Sequence, residues 1–186
     1  MNLQTTYMGL TLKNPLVASS SPITASEEKI YQAIEAGAGA VILPTFFEEQ
    51  VTKCGFDHPY FPDSDDYILS PDAYFQLLHN TATHSSVPII ASLNGATEEG
   101  WVSYAKKMQE AGAHGLELNI HHIVADASVT AQDVEEEHLQ ILKSVKQAVS
   151  IPVALKLSPF YNSLNYMALR FDEAGADALV LFNRFY

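Results

Sequence analysis

Three near-copies of one phrase punctuate this chain: AGAGAVIL at residues 36–43, AGAHGLEL at 111–118 and AGADALVL at 174–181. Each reads as the end of a helix, a glycine that reverses the chain, and a buried strand. Gly37, Gly112 and Gly175 stand where a helix C-terminus favours a left-handed residue, the conformation glycine adopts at least cost. The strand follows within two residues, a connection length typical of α/β units. Two further apolar strands, 88–92 (PIIAS) and 152–156 (PVALK), fall between the copies, each opened by a proline that stops the preceding helix. Recurring helix-then-strand units point to a parallel α/β sheet.

The remaining segments keep this rhythm. Asn14-Pro15 is a turn signal, and the apolar run 16–18 after it predicts the first strand. Residues 5–12 read as a hairpin covering one mouth of a barrel. Thr24-Ala-Ser-Glu27 has capping-box spacing and predicts a helix running to about Ala36. The second strand is 40–43. Residues 44–71 are rich in Asp, Pro and aromatics without a period, which predicts a loop of a length uncommon unless functional. Helices at about 72–84, 98–111, 130–149 and 163–174 precede strands at 88–92, 115–119, 152–156 and 178–182. Val134, Ile141, Leu142, Val145 and Val149 share the apolar face of the helix at 130–149. The expectation is one domain over residues 1–186, with six strands alternating with five helices.

Two strands show which face carries chemistry. In 115–119, Leu116 and Leu118 share one face, Glu117 and Asn119 the other; in 152–156, Val153 and Leu155 oppose Ala154 and Lys156. Strands buried on both faces read as apolar throughout. These two instead carry polar groups at their C-terminal ends, where (β/α)₈ barrels place their active sites.

Charge and composition narrow the partners. A net charge of -12 argues against nucleic acid and anionic membranes, while leaving room for a local basic pocket. No stretch has the length of a membrane span, and the N-terminus lacks the basic and apolar regions of a signal peptide. The lone cysteine, Cys54, allows no internal disulfide, so a reducing, cytoplasmic location is expected.

Four motifs carry a resemblance: NPLVASSSP at 14–22, ELN at 117–119, PVALKLSP at 152–159 and GADALVLFN at 175–183. In this order they resemble the dihydroorotate dehydrogenase family, most of all its divergent dihydroorotate dehydrogenase-like branch, across most of the chain. The resemblance implies an FMN-dependent (β/α)₈ TIM barrel. Its members oxidise a CH–CH bond of a dihydropyrimidine, dihydroorotate to orotate, in pyrimidine biosynthesis. It implies flavin contacts from Ser19, Ser20, Thr45, Asn119 and Lys156, and substrate contacts from Asn119 and Asn183. A cation at Lys156 would stabilise reduced flavin. The implied partner is a small dihydropyrimidine-like molecule, with a homodimer as a possible assembly.

The departures are specific. Pro44-Thr45 replaces the family's usual Lys followed by Ser or Thr, which removes one cation. His121-His122-Ile123-Val124 replaces a Ser-Cys-Pro-Asn pattern, so the base position falls on His122, whose imidazole titrates near neutral pH. Another dihydropyrimidine-like substrate is therefore a rival expectation. A full barrel needs about 250 residues. With 186, this chain is expected to lack the C-terminal βα units and their phosphate-binding loops, and a non-catalytic fragment unable to hold FMN is the second rival.

Plainer readings stand beside these. Lys156 could be an interior lysine paired with Glu117, and Asn119 and Asn183 could cap loops. His121, His122 and Asp126 make a poor metal set because adjacent side chains point apart. Asp63, Asp65 and Asp66 lack the glycine and distal glutamate of a calcium loop. No metal is expected, and Cys54 reads as an inert thiol.

Overall fold

The computed structural model describes residues 2–51, 69–120 and 126–183. A hairpin of β1 (Thr5–Tyr7) and β2 (Leu10–Leu12) opens the chain. Then follow β3 (Val17–Ala18), α1 (Glu27–Glu35), β4 (Ala40–Phe47), α2 (Pro71–His84), β5 (Ile89–Asn94) and α3 (Glu98–Glu110). The chain continues through β6 (Gly115–Asn119), α4 (Ala131–Ala148), β7 (Val153–Leu157), α5 (Leu164–Glu173) and β8 (Ala178–Leu181). Strands β3 to β8 form one parallel sheet whose spatial order is their sequence order. Six strands and five alternating helices are those of an incomplete (β/α)₈ TIM-barrel type, as expected.

The repeated phrase ends its helices in one way. After α1, Gly37 N–H donates to Ile34 O and Ala38 N–H to Ala33 O, both at 3.0 Å. The same pair of bonds closes α3 through Gly112 and Ala113, and α5 through Gly175 and Ala176. This is the Schellman pattern, and it requires a left-handed residue; the three glycines have φ of 112°, 101° and 94°.

Side-chain parity divides the sheet into two cores. Val41, Leu43, Ile89, Leu116, Leu118, Val153 and Leu155 face outward and pack with Leu78, Met108, Leu142 and Phe171 of the helices. Ala40, Ile42, Ile90 and Ala154 face inward, where Met8 and Leu12 of the hairpin cover them. The expected hairpin therefore covers the N-terminal mouth.

The structure corrects three expectations. Helix α1 is preceded by Ser26 at its N-cap, not by Thr24; Pro22 starts a 3₁₀ turn over Pro22–Thr24, and Thr24 Oγ1 turns back to donate to Ser21 O at 3.0 Å. The second strand does not end at Leu43 but runs through Pro44 to Phe47, followed by a 3₁₀ turn at Glu48–Gln50, so the expected loop is shorter at this end. Pairing with β5 slips there: Ile42 faces Ile90, but Thr45 faces Ser92. Proline has no N–H to give the ladder, and the extra residue is accommodated as a bulge. The third correction is at β5, which extends past Ser92 to Asn94. Cys54, Asp63, Asp65 and Asp66 lie outside the described residues.

Candidate functional site

Inside the sheet the side chains change from apolar to polar along the strands. Ala40, Ile42, Ile90 and Ala154 give way to Thr45, Ser92, Glu117, Asn119 and Lys156 toward the C-terminal ends. The bulge at Pro44 decides the place of Thr45. With regular alternation Pro44 would share the inner face of Ala40 and Ile42; one extra residue turns Thr45 inward and Phe46 outward onto Tyr74 and Tyr104.

A cavity of about 710 Å³ opens over these residues, bordered by Ser19, Ser20, Thr45, Glu117, Asn119, Lys156 and Asn183. Tyr7 of the hairpin and Leu179–Phe182 supply apolar and aromatic wall. All six predicted flavin- and substrate-facing residues thus border a single space. His121 and His122 lie outside the described residues.

Polar contacts join four strands. Lys156 Nζ donates to Glu117 Oε1 at 3.3 Å, with the carboxylate side chain only 1% exposed. The plain reading of Lys156 as a partner of Glu117 thus holds geometrically, while the ammonium still borders the cavity. Thr45 Oγ1 and Ser92 Oγ are 2.9 Å apart, Ser20 Oγ lies 3.4 Å from Thr45 Oγ1, and Asn119 Nδ2 donates to Thr45 Oγ1 at 3.5 Å. Asn94 Nδ2 holds the Asn119 carbonyl at 2.8 Å, fixing the end of β6. Behind Ser92, the Tyr74 hydroxyl accepts from its N–H at 3.2 Å and donates to its carbonyl at 3.3 Å. Two buried acceptors, Glu117 Oε2 and Asn119 Oδ1, have no hydrogen-bond partner.

Burial sets the electrostatics. It pushes the Glu117 carboxyl above its ordinary value, while Lys156 and Ser92 pull it back without cancelling the effect. Burial next to Glu117 also raises the Tyr7 phenol to about 12, so it stays a neutral donor at working pH. Among the described residues no three His, Cys, Asp or Glu side chains gather as a metal would require. No helix of the described residues is long and apolar enough to cross a membrane.

Sequence reasoning did not single out Ser92 or Tyr7. The signal for Ser92 was present: it shares its strand face with Ile90, two residues earlier, and follows the polar-end pattern of β6 and β7. Nothing in the hairpin sequence marks Tyr7 as part of the cavity wall.

Comparison with known proteins agrees with this architecture. The model of a family described as dihydroorotate dehydrogenase matches residues 2–185. The catalytic subunit of dihydroorotate dehydrogenase B (NAD(+)) from Methanocella arvoryzae is 30% identical over 182 residues, covering 94% of this chain and 60% of that protein. The NAD-dependent dihydropyrimidine dehydrogenase subunit PreA of Escherichia coli is 27% identical over 202 residues, covering 98% and 48%. The chain thus spans roughly half to three fifths of these relatives. Among solved structures, phosphonopyruvate hydrolase in complex with oxalate and Mg++ superposes with a TM-score of 0.59 at 18% identity, over 92% of this chain and 59% of that one. At that identity the likeness is one of fold alone.

Proposed function

The chain belongs to the dihydroorotate dehydrogenase family, and from that premise we propose that it forms the flavin- and substrate-facing part of an FMN-dependent oxidoreductase. The proposed reaction removes hydrogen across a CH–CH bond of a dihydropyrimidine ring. The observation that carries this reading is the cavity floor, where the Lys156 ammonium and the partnerless, buried Asn119 Oδ1 face one space.

The floor fits the ring of a flavin. An acceptor with no partner needs a donor from a ligand, and a cation suits a ring that gains negative charge on reduction. Ser19, Ser20, Thr45, Asn119 and Lys156 would hold the ring. Lys156 is the one cation among the described lining residues and lies at the ring end, so we assign to this chain the ring and not the phosphate. When bound, FMN would supply the hydride acceptor. Asn119 and Asn183 would orient the substrate ring, and the apolar wall from Leu179 to Phe182 would exclude water from it. We assign to His122, three residues beyond Asn119, the removal of the substrate proton, for which a neutral imidazole is suited.

Dihydroorotate is the first substrate reading, in pyrimidine biosynthesis. The second is another dihydropyrimidine, favoured by Pro44 in place of a cation, by the histidine pair, and by the likeness to a dihydropyrimidine dehydrogenase subunit. Relatives named as subunits also support assembly with further chains.

Flavin binding tests the reading. The chain is expected to quench flavin fluorescence, with riboflavin binding within a few fold of FMN because the phosphate is held elsewhere. Lys156→Ala should weaken binding by roughly tenfold, the size expected for one charge-assisted contact. Anaerobic bleaching of bound flavin by dihydroorotate or dihydrouracil then selects the substrate, and His122→Ala should abolish bleaching while sparing flavin binding. A chain that quenches neither flavin sinks the proposal.

A further inference from the structure

The polar side chains under the cavity are linked in a single direction. Ionised Glu117 can only accept hydrogen bonds, and each hydroxyl has one proton to give. Ser92 stands directly across from Glu117 in the β5–β6 register, on the same inner face, and its hydroxyl pulls the carboxyl pKa down as a donor does. A Ser92 hydroxyl that gives its proton to Glu117 must accept from Thr45 across their 2.9 Å contact. Thr45, having given its proton to Ser92, must accept from both other neighbours, Ser20 Oγ at 3.4 Å and Asn119 Nδ2 at 3.5 Å. Lys156, which can only donate, closes the set from the other side at 3.3 Å. Every proton in the network therefore runs toward Glu117, and the Asn119 amide is left with its NH₂ turned inward and its Oδ1 turned to the cavity. The partnerless state of that oxygen agrees with this order.

We propose that Glu117 is a positioning residue that, through Ser92 and Thr45, fixes Asn119 as a hydrogen-bond acceptor and so makes the cavity select ligands presenting a ring N–H. The inference rests on the flavin and dihydropyrimidine reading of this cavity and deepens it. Imide and amide N–H groups occur on the pyrimidine edge of a flavin and on a dihydropyrimidine substrate alike. Ring nitrogens that bear an alkyl group would meet an acceptor they cannot satisfy, and a polar site rejects such analogues strongly.

The test compares ligands that differ only at that group. One arm measures binding of FMN and N3-methyl-FMN to the chain; the other measures orotate and its N1- and N3-methyl derivatives on the flavin-loaded chain. At least one arm should show a preference of about 100-fold or more for the N–H form. Glu117→Gln places a group that can donate at the head of the relay and removes its fixed direction, so the preference should fall to a few fold. Ser92→Ala cuts the relay without touching the ion pair and should do the same, which guards against a Glu117 variant that fails to fold. The ratio between parent and methylated ligand is the decisive readout, because a general loosening of the cavity weakens both together. Equal binding of parent and methylated ligands by the unmodified chain in both arms overturns the relay alone. A preference that survives both substitutions also overturns it. Failure of FMN and orotate to bind at all overturns the underlying functional reading, and the relay with it.

Discussion

Lys156 and Glu117 show how a single pair can be both costly and necessary. The carboxylate is 1% exposed, and burial raises its pKa even with the ammonium beside it. A carboxyl whose folded pKa exceeds its unfolded one adds stability only below the unfolded value of about 4.3 and loses that contribution as pH rises through the folded value. Removing the cation by Lys156→Met takes away the largest opposing influence and leaves a buried charge unpaired, at an expected cost of about 3 kcal/mol at neutral pH. Since protonated Glu117 has no charge to bury, the gap between variant and parent should narrow on acidification. Urea unfolding of both proteins at about pH 7.5 and about pH 5 reads this directly; a gap unchanged by pH would show that Glu117 is not the group left exposed to the loss. Much of this site was legible in the sequence, because polar residues at the ends of otherwise apolar strands have little reason to be there except to face a cavity. Asn119 and Lys156 were found in that way. Thr45 was reached only through resemblance, since its inward direction depends on a bulge that shows up as a slip against β5, not as a local pattern.

Elements are held by contacts that local patterns do not reveal. Glu48, buried just after β4, accepts from Ala96 N–H at 2.6 Å, Thr97 N–H at 2.9 Å and Thr97 Oγ1 at 2.7 Å. It thus satisfies the start of α3, while Thr97 Oγ1 accepts from Gly100 N–H as the N-cap. A negative charge at a helix N-terminus is also favourable to the helix dipole. The carboxylate packs so tightly on Gly100 that any Cβ there would collide with it. Glu48→Ala should cost about 2 kcal/mol, the sum expected for a lost cap and orphaned donors. Gly100→Ala should also destabilise, although alanine is the better helix former by about 1 kcal/mol. Shifts of the urea midpoint measure both; a stabilised Gly100→Ala would mean the carboxylate can move aside freely. The helix ends at Gly37, Gly112 and Gly175 could be read in advance because the Schellman turn is local and needs one residue type. Glu48 could not, because its partners lie 48 and 49 residues away. Thr24 misled for a related reason: the spacing of a capping box was present, but Pro22 had already begun a tighter turn.

For the molecule as a whole, the described sheet has two outer strands, β3 and β8, each paired on one side only. Outer strands present unpaired N–H and C=O groups that can bond to another chain. Apolar surface lies close by: Leu181 of β8 is 59% exposed and Leu16 beside β3 is 67% exposed. Opposing any contact between copies is a net charge of -12, which repels like chains over distances set by salt. The balance gives a specific expectation. At low ionic strength, with a screening length near 30 Å at 0.01 M, copies should stay apart. At about 0.5 M salt, where screening shortens to a few ångströms, edge pairing and apolar contact should dominate, and the sedimentation coefficient should rise with protein concentration. Leu181→Lys places a charge on the β8 edge and removes apolar surface, so it should restore monomeric sedimentation at the same salt. Association that instead weakens as salt rises would assign the contact to charge pairs elsewhere on the surface, and an unaltered Leu181→Lys profile would remove β8 from it.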